Sequence, residues 1–141
     1  MFHFGERRPT TTVRGEPTEV GDYALHVQCA WRLTNGDRVV TARRDLYFPA
    51  DGSEASDDFD YEHAPNLQDK IVGEMFRERR LELTVLAVDV GNAGSLRIVL
   101  DEAFAVDVMP DDSTTGEHWR LFVPRTNEPH FVFTGSGIET E

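Results

Sequence analysis

The side chains with most chemical potential are carboxylates. Asp57, Asp58, Asp60, Glu62 and His63 crowd into one short stretch, a donor set that suits a hard cation. They lack the central glycine and fixed ligand spacing of an EF-hand loop. The histidines at 3, 26, 63, 118 and 130 are scattered, and there is no Cys-x-x-Cys. Neither a metal site nor a cofactor is expected. Nucleophilic chemistry has two starting points. His26 falls opposite Asp45 if their strands pair, as an oriented base or as a cross-strand ion pair. His118 follows Ser113, but no Gly-x-Ser-x-Gly elbow frames that serine. Cys29 is expected to face inward on a strand, where a thiol packs as a small hydrophobe. A small hydrolase using His26 or His118 is therefore the third reading, and no catalytic residue is assigned.

Charge is the stronger signal. The chain of 141 residues carries a net charge of −12. Asp51, Glu54, Asp57, Asp58, Asp60 and Glu62 form one block without a base; Asp101, Glu102, Asp107, Asp111, Asp112 and Glu117 form another. The other 14 acids equal the 14 basic residues, so the two blocks hold the whole excess. Such a field disfavours nucleic acid and anionic membrane and favours a cationic protein. Phe59 and Tyr61 lie among the acids, where an aromatic anchor beside charge suits a protein contact. Asp57 to Tyr61 and Asp111-Asp112 each come after a strand that ends at a proline, Pro49 and Pro110 respectively. The expected partner-binding set is Asp57, Asp58, Phe59, Asp60, Tyr61, Asp111 and Asp112, gathered at one end of a sheet. A single cysteine, no apolar run long enough to cross a bilayer and no signal-like amino terminus predict a cytoplasmic protein.

The elements that would position these residues are mostly strands. Leu96, Ile98 and Leu100, then Phe104, Val106 and Val108, alternate with polar or small residues on two strands sharing an apolar face. Asp101-Glu102-Ala103 is the reversal between them. Asn35-Gly36 marks a second hairpin. With those two residues as the loop, Trp31 pairs with Val40, Leu25 with Leu46 and Tyr23 with Phe48. Asn66 caps a helix over 66–80, with Leu67, Ile71, Met75 and Phe76 on its apolar side. Leu81 to Val90 reads as a central strand, and His118–Val123 and Phe131–Phe133 as two more. Together these predict one α+β domain over residues 1–141, an antiparallel sheet of about seven or eight strands, strongly curled or open, with one packed helix. A mobile acidic loop, 49–65, and a polar tail, 135–141, complete it.

The strand Cys29-Ala-Trp-Arg-Leu33, the exit Arg44-Asp-Leu-Tyr-Phe-Pro49, the turn Gly94-Ser-Leu96 and Glu117-His-Trp-Arg-Leu121 resemble an uncharacterised family of small acidic bacterial proteins. The likeness spans roughly residues 20 to 134. Such proteins are similar in size, acidity and layout to immunity proteins, which neutralise a cognate toxin. The resemblance implies an acidic protein-binding module, an immunity-type inhibitor of a cationic toxin or enzyme. The alternative is a homo-oligomeric accessory protein, a homodimer for instance, without catalysis.

Overall fold

The apolar alternation around Asp101 closes as a hairpin. In the computed structural model, which describes residues 1–141, Leu96–Leu100 and Phe104–Met109 pair antiparallel, with Leu96 opposite Val108 and Ile98 opposite Val106. Glu102 and Ala103 make the reversal with φ of 52° and 63°. A right-twisted two-residue turn needs that left-handed backbone, which costs about 1–2 kcal/mol per residue when no glycine supplies it. Asn35 offsets part of that cost, since its Nδ2 donates to Glu102 O at 2.8 Å.

The fold is mostly antiparallel sheet, twelve strands in three sheets, with one helical segment. The strands are β1 (Phe2–Phe4), β2 (Arg8–Thr11), β3 (Pro17–Val20), β4 (Tyr23–Val27), β5 (Ala30–Asn35), β6 (Arg38–Ala42), β7 (Val85–Val90), β8 (Leu96–Leu100), β9 (Phe104–Met109), β10 (Glu117–Phe122), β11 (Phe131–Thr134) and β12 (Gly137–Thr140). The expected single sheet of seven or eight strands is thus replaced by three smaller sheets. The chain divides into two compact units, Met1–Cys29 with Pro110–Glu141, and Ala30–Met109.

The first unit holds a sheet ordered β1-β4-β10-β11-β12 and the small hairpin β2-β3. Its core includes Ala24, Leu25, Trp119, Val132 and Phe133. The Trp119 and Phe133 rings stack at 5.6 Å. The polar tail is a strand: β12 pairs with β11, setting Thr134 opposite Gly137 and Phe131 opposite Thr140. Its polar composition marks an edge strand with exposed side chains, and the backbone bonds are indifferent to that composition.

The second unit holds a sheet ordered β6-β5-β9-β8-β7. Leu33, Val106, Ile98 and Val88 line up across four strands on one face, as do Trp31, Val108, Leu96 and Val90. The opposite face carries Arg32, Asp107, Arg97 and Asp89 in one row. Asp107 is buried there, accepting from Arg32 Nε at 2.9 Å and Arg97 NH1 at 2.6 Å.

Three strand expectations are corrected. Asn35 pairs with Arg38, so Gly36 and Asp37 make the turn, with φ of +54° at Gly36. Leu33 then faces Thr41, and Trp31 has Val108 as its partner on β9. The long strand expected from Tyr23 onward is two strands in different sheets, and Arg43–Tyr47 forms a 3-10 turn. The cause is Asp45, whose carboxylate accepts from Thr41 Oγ1 and Ala42 N and so caps that turn. The third correction is β7, which is an edge strand.

The helix agrees with expectation. Asn66 Oδ1 accepts from Asp69 N at 2.8 Å, capping Leu67–Val72, and a π-helical turn continues over Gly73–Glu78. Met75 is buried, while Lys70 and Arg77 are exposed.

Candidate functional site

Loop 49–65 is built as a closed projection. Pro49 and Asn66 form an isolated antiparallel bridge, Ala50 N donates to Pro65 O, and Leu67 N donates to Phe48 O. The two ends of the acidic block therefore meet at one base, in the manner of an Ω-loop. Above the base, Tyr61 sets its ring edge-on to Tyr47, with centroids 4.9 Å apart. Short side-chain turns shape the rest: Asp51 accepts from Ser53 N, and Asp60 from Glu62 N and the His63 ring. The Ser53 side chain and N–H hold Asp51 below the ordinary carboxylate range, and the His63 ring does the same for Asp60.

All six acids of this block are exposed, and none forms an ion pair with arginine or lysine. Phe59 is half-buried and Tyr61 exposed. Asp57, Asp58, Phe59, Asp60 and Tyr61 thus share one loop of the second unit. Asp111 and Asp112 lie in loop 110–116 of the first unit.

The second acidic block does not act as a block. Asp107 is held between two guanidinium groups, as above. Glu117 accepts from Arg120 Nε at 2.8 Å. Burial is the largest single influence on Glu117 and raises its pKa, but the bonds from Arg120 and Gln28 and the positive charge nearby together outweigh it and hold the carboxyl below its usual value. Two of the six charges are thereby neutralised locally, by partners that a count of acids does not reveal.

The residues of the hydrolase reading fall apart. Asp45 caps its own turn, and His26 stands opposite Arg120 with its Nδ1 3.5 Å from Glu117 Oε1. No His26–Asp45 pair forms. His118 and Cys29 are each only 2% exposed, out of reach of a substrate. They are nevertheless neighbours: Gln28 N and Cys29 N both donate to His118 O, at 2.8 and 3.2 Å. The β10–β11 register shifts at this point, between Glu117 and Trp119. A bulge re-aims a side chain, and here it carries the one buried histidine.

Loop 110–116 is braced beside them. Thr114 N and Oγ1 both donate to Asp112 Oδ1, at 2.8 and 2.7 Å, and hold that carboxyl below its ordinary range. Gly135 N donates to Thr114 O at 3.0 Å. A Cβ on Gly135 would lie 2.1 Å from that oxygen, so only glycine permits this approach. Sequence reasoning made Cys29 an inert core thiol and His118 a candidate residue of the hydrolase reading; nothing in their spacing signals that they meet.

No family model, no curated protein and no solved structure matches this chain.

Proposed function

We propose that the protein is an acidic protein-binding module that engages a cationic partner, in the manner of an immunity-type inhibitor of a basic toxin or enzyme. One observation carries the reading: six exposed acids, none in an ion pair with arginine or lysine, stand on a single loop whose ends are tied together. Uncompensated charge on a defined projection steers an oppositely charged partner and speeds its encounter, and a carboxylate cluster can occupy a basic active site. Tyr61 and Phe59 supply apolar contact area beside the charge.

The test uses basic proteins captured from the source cell at low salt, followed by binding kinetics across ionic strength. Association with the wild type is expected to fall steeply as salt rises. Replacing Asp57, Asp58 and Asp60 together by Asn is expected to slow association by about 10-fold or more at low salt. The same variant should shift folding stability by no more than about 0.5 kcal/mol, because these side chains are solvated. Equal association rates for wild type and variant would overturn the acidic-loop reading.

A second reading, a homo-oligomeric accessory protein, is favoured by β7. Val85, Leu86, Val88 and Val90 are 38 to 67% exposed on the edge of the second unit's sheet. Val88 and Val90 continue the row begun by buried Ile98 and Leu96, so the apolar face runs out to the sheet's edge. An open apolar edge is a template for strand pairing, and a second copy would present the same row about a two-fold axis. On this reading sedimentation gives a dimer for the wild type and a monomer for Val88→Lys. A monomeric wild type at high micromolar concentration removes it.

A further inference from the structure

The buried histidine at the β10 bulge has a feature that packing does not explain. His118 Nε2 is shielded from solvent and has no hydrogen-bond partner. Buried polar atoms are nearly always satisfied, and an orphan of this kind calls for an ion, a water or a ligand. The groups around it are suited to one of these. One ligand atom each from Cys29, Asp111 and His118 lie within 4.8 Å of one another. Asp112 Oδ1 is 3.8 Å from His118 Nε2.

We propose that Cys29, His118 and Asp111, with Asp112 at the fourth position, form a zinc-type metal site that ties loop 110–116 to the sheet of the first unit. The donor set decides the class of ion. Calcium and magnesium take oxygen ligands almost exclusively, whereas a thiolate and an imidazole beside carboxylates select zinc and its neighbours. Bond lengths near 2.0–2.3 Å place tetrahedral zinc ligands roughly 3.3–3.7 Å apart, so the group needs to contract by about 1 Å. The exposed side chain of Asp111 has the freedom to supply that movement. Cys29 and His118 are held side by side by backbone: the two N–H donors of Gln28 and Cys29 converge on His118 O. Phe133 lies against the His118 ring, with centroids 6.2 Å apart, and gives the inner side an apolar wall. Low polarity on that side strengthens the attraction of the ligands for a cation.

Nucleophilic catalysis by the same Cys–His pair is disfavoured by burial: both residues are 2% exposed, and the exposed groups beside them are the carboxylates of Asp111 and Asp112. Negative charge there repels an anionic substrate and attracts a divalent cation. The site is independent of loop 49–65, which belongs to the other unit.

The experiment titrates the full chain, first stripped with a chelator, with Co²⁺ as an optical probe and then with Zn²⁺ as competitor. One equivalent of Co²⁺ is expected to bind with a thiolate-to-metal charge-transfer band and the visible bands of a tetrahedral ion, and Zn²⁺ is expected to displace it. Cys29→Ser should lose the charge-transfer band. Asp111→Asn, a change at an exposed position, should keep the fold and weaken binding by at least about 10- to 100-fold, the loss typical of even an outer-shell partner. The Asp57, Asp58 and Asp60 triple Asn variant should bind as the wild type does, which separates the site from loose carboxylate binding. Absence of the thiolate band in the folded wild type overturns the proposal. So does Asp111→Asn binding as tightly as the wild type.

Discussion

Trp119→Ala is expected to destabilise the protein by about 3–5 kcal/mol, the usual cost of emptying a large aromatic site. Trp119 is buried on β10 between Val27 of β4 and Phe133 of β11, its register partners on either side. Its ring lies nearly parallel to that of Phe133, at an interplanar angle of 13°. Stacking of this kind contributes about 0.5–1.5 kcal/mol beyond buried area. Phe131 on the neighbouring strand is the internal control. It is 55% exposed, so Phe131→Ala should cost no more than about 1 kcal/mol. Urea denaturation followed by far-ultraviolet circular dichroism measures both. Similar losses for the two variants would mean that the fall in burial along this face of the β10–β11 pair, from Trp119 and Phe133 to Leu121 and Phe131, is wrong.

The second large effect is expected at Asp107. Its carboxylate accepts from Arg32 on β5 and Arg97 on β8, one guanidinium on each oxygen. Asp107→Asn keeps the shape but removes the charge, leaving two cations facing the same point. Breaking a buried pair in this way costs about 3–5 kcal/mol when both partners are desolvated. Here the arginine side chains are about half exposed, at 47% and 52%, and water screens part of the loss. The expected destabilisation is about 2–3 kcal/mol. In the Asp107→Asn background, Arg97→Gln should recover part of it by relieving the repulsion. A loss below about 0.5 kcal/mol would place Asp107 among ordinary surface acids.

Asp107 also shows how far a linear reading of charge extends. Counted along the chain, it is one of six acids in a run without a base. In the sheet it is the most enclosed of them, because Arg32 arrives from 75 residues away. Loop 49–65 had no such hidden partners, so its acidity survived folding as a surface property. Asp57, Asp58 and Asp60 on that closed loop, and Asp111 and Asp112 on loop 110–116, are all exposed, whereas the acids that folding neutralises, Asp107 and Glu117, lie outside the expected binding set.

Local rules explain what was legible from residue order. The β8–β9 hairpin, the Asn66 cap and the inward side of the helix follow from period and capping, which act within a few residues. The same rules misplaced the Asn35-Gly36 turn by one residue, because Gly36 alone supplies the left-handed backbone and Asn35 is used to hold the β8–β9 turn. They made one strand of the segment from Tyr23 to Thr34, which instead leaves one sheet at Val27 and enters another at Ala30. They also made β7 central, since an apolar run looks the same whether one neighbour covers it or two. Residue types alone therefore determined the antiparallel sheet character, the helix and the acidity of loop 49–65. Only the tertiary structure decided which acids are neutralised and that Cys29, Asp111 and His118 meet. Pairing across long separations depends on strand order, and strand order is set by the total burial of the chain rather than by any segment's own pattern.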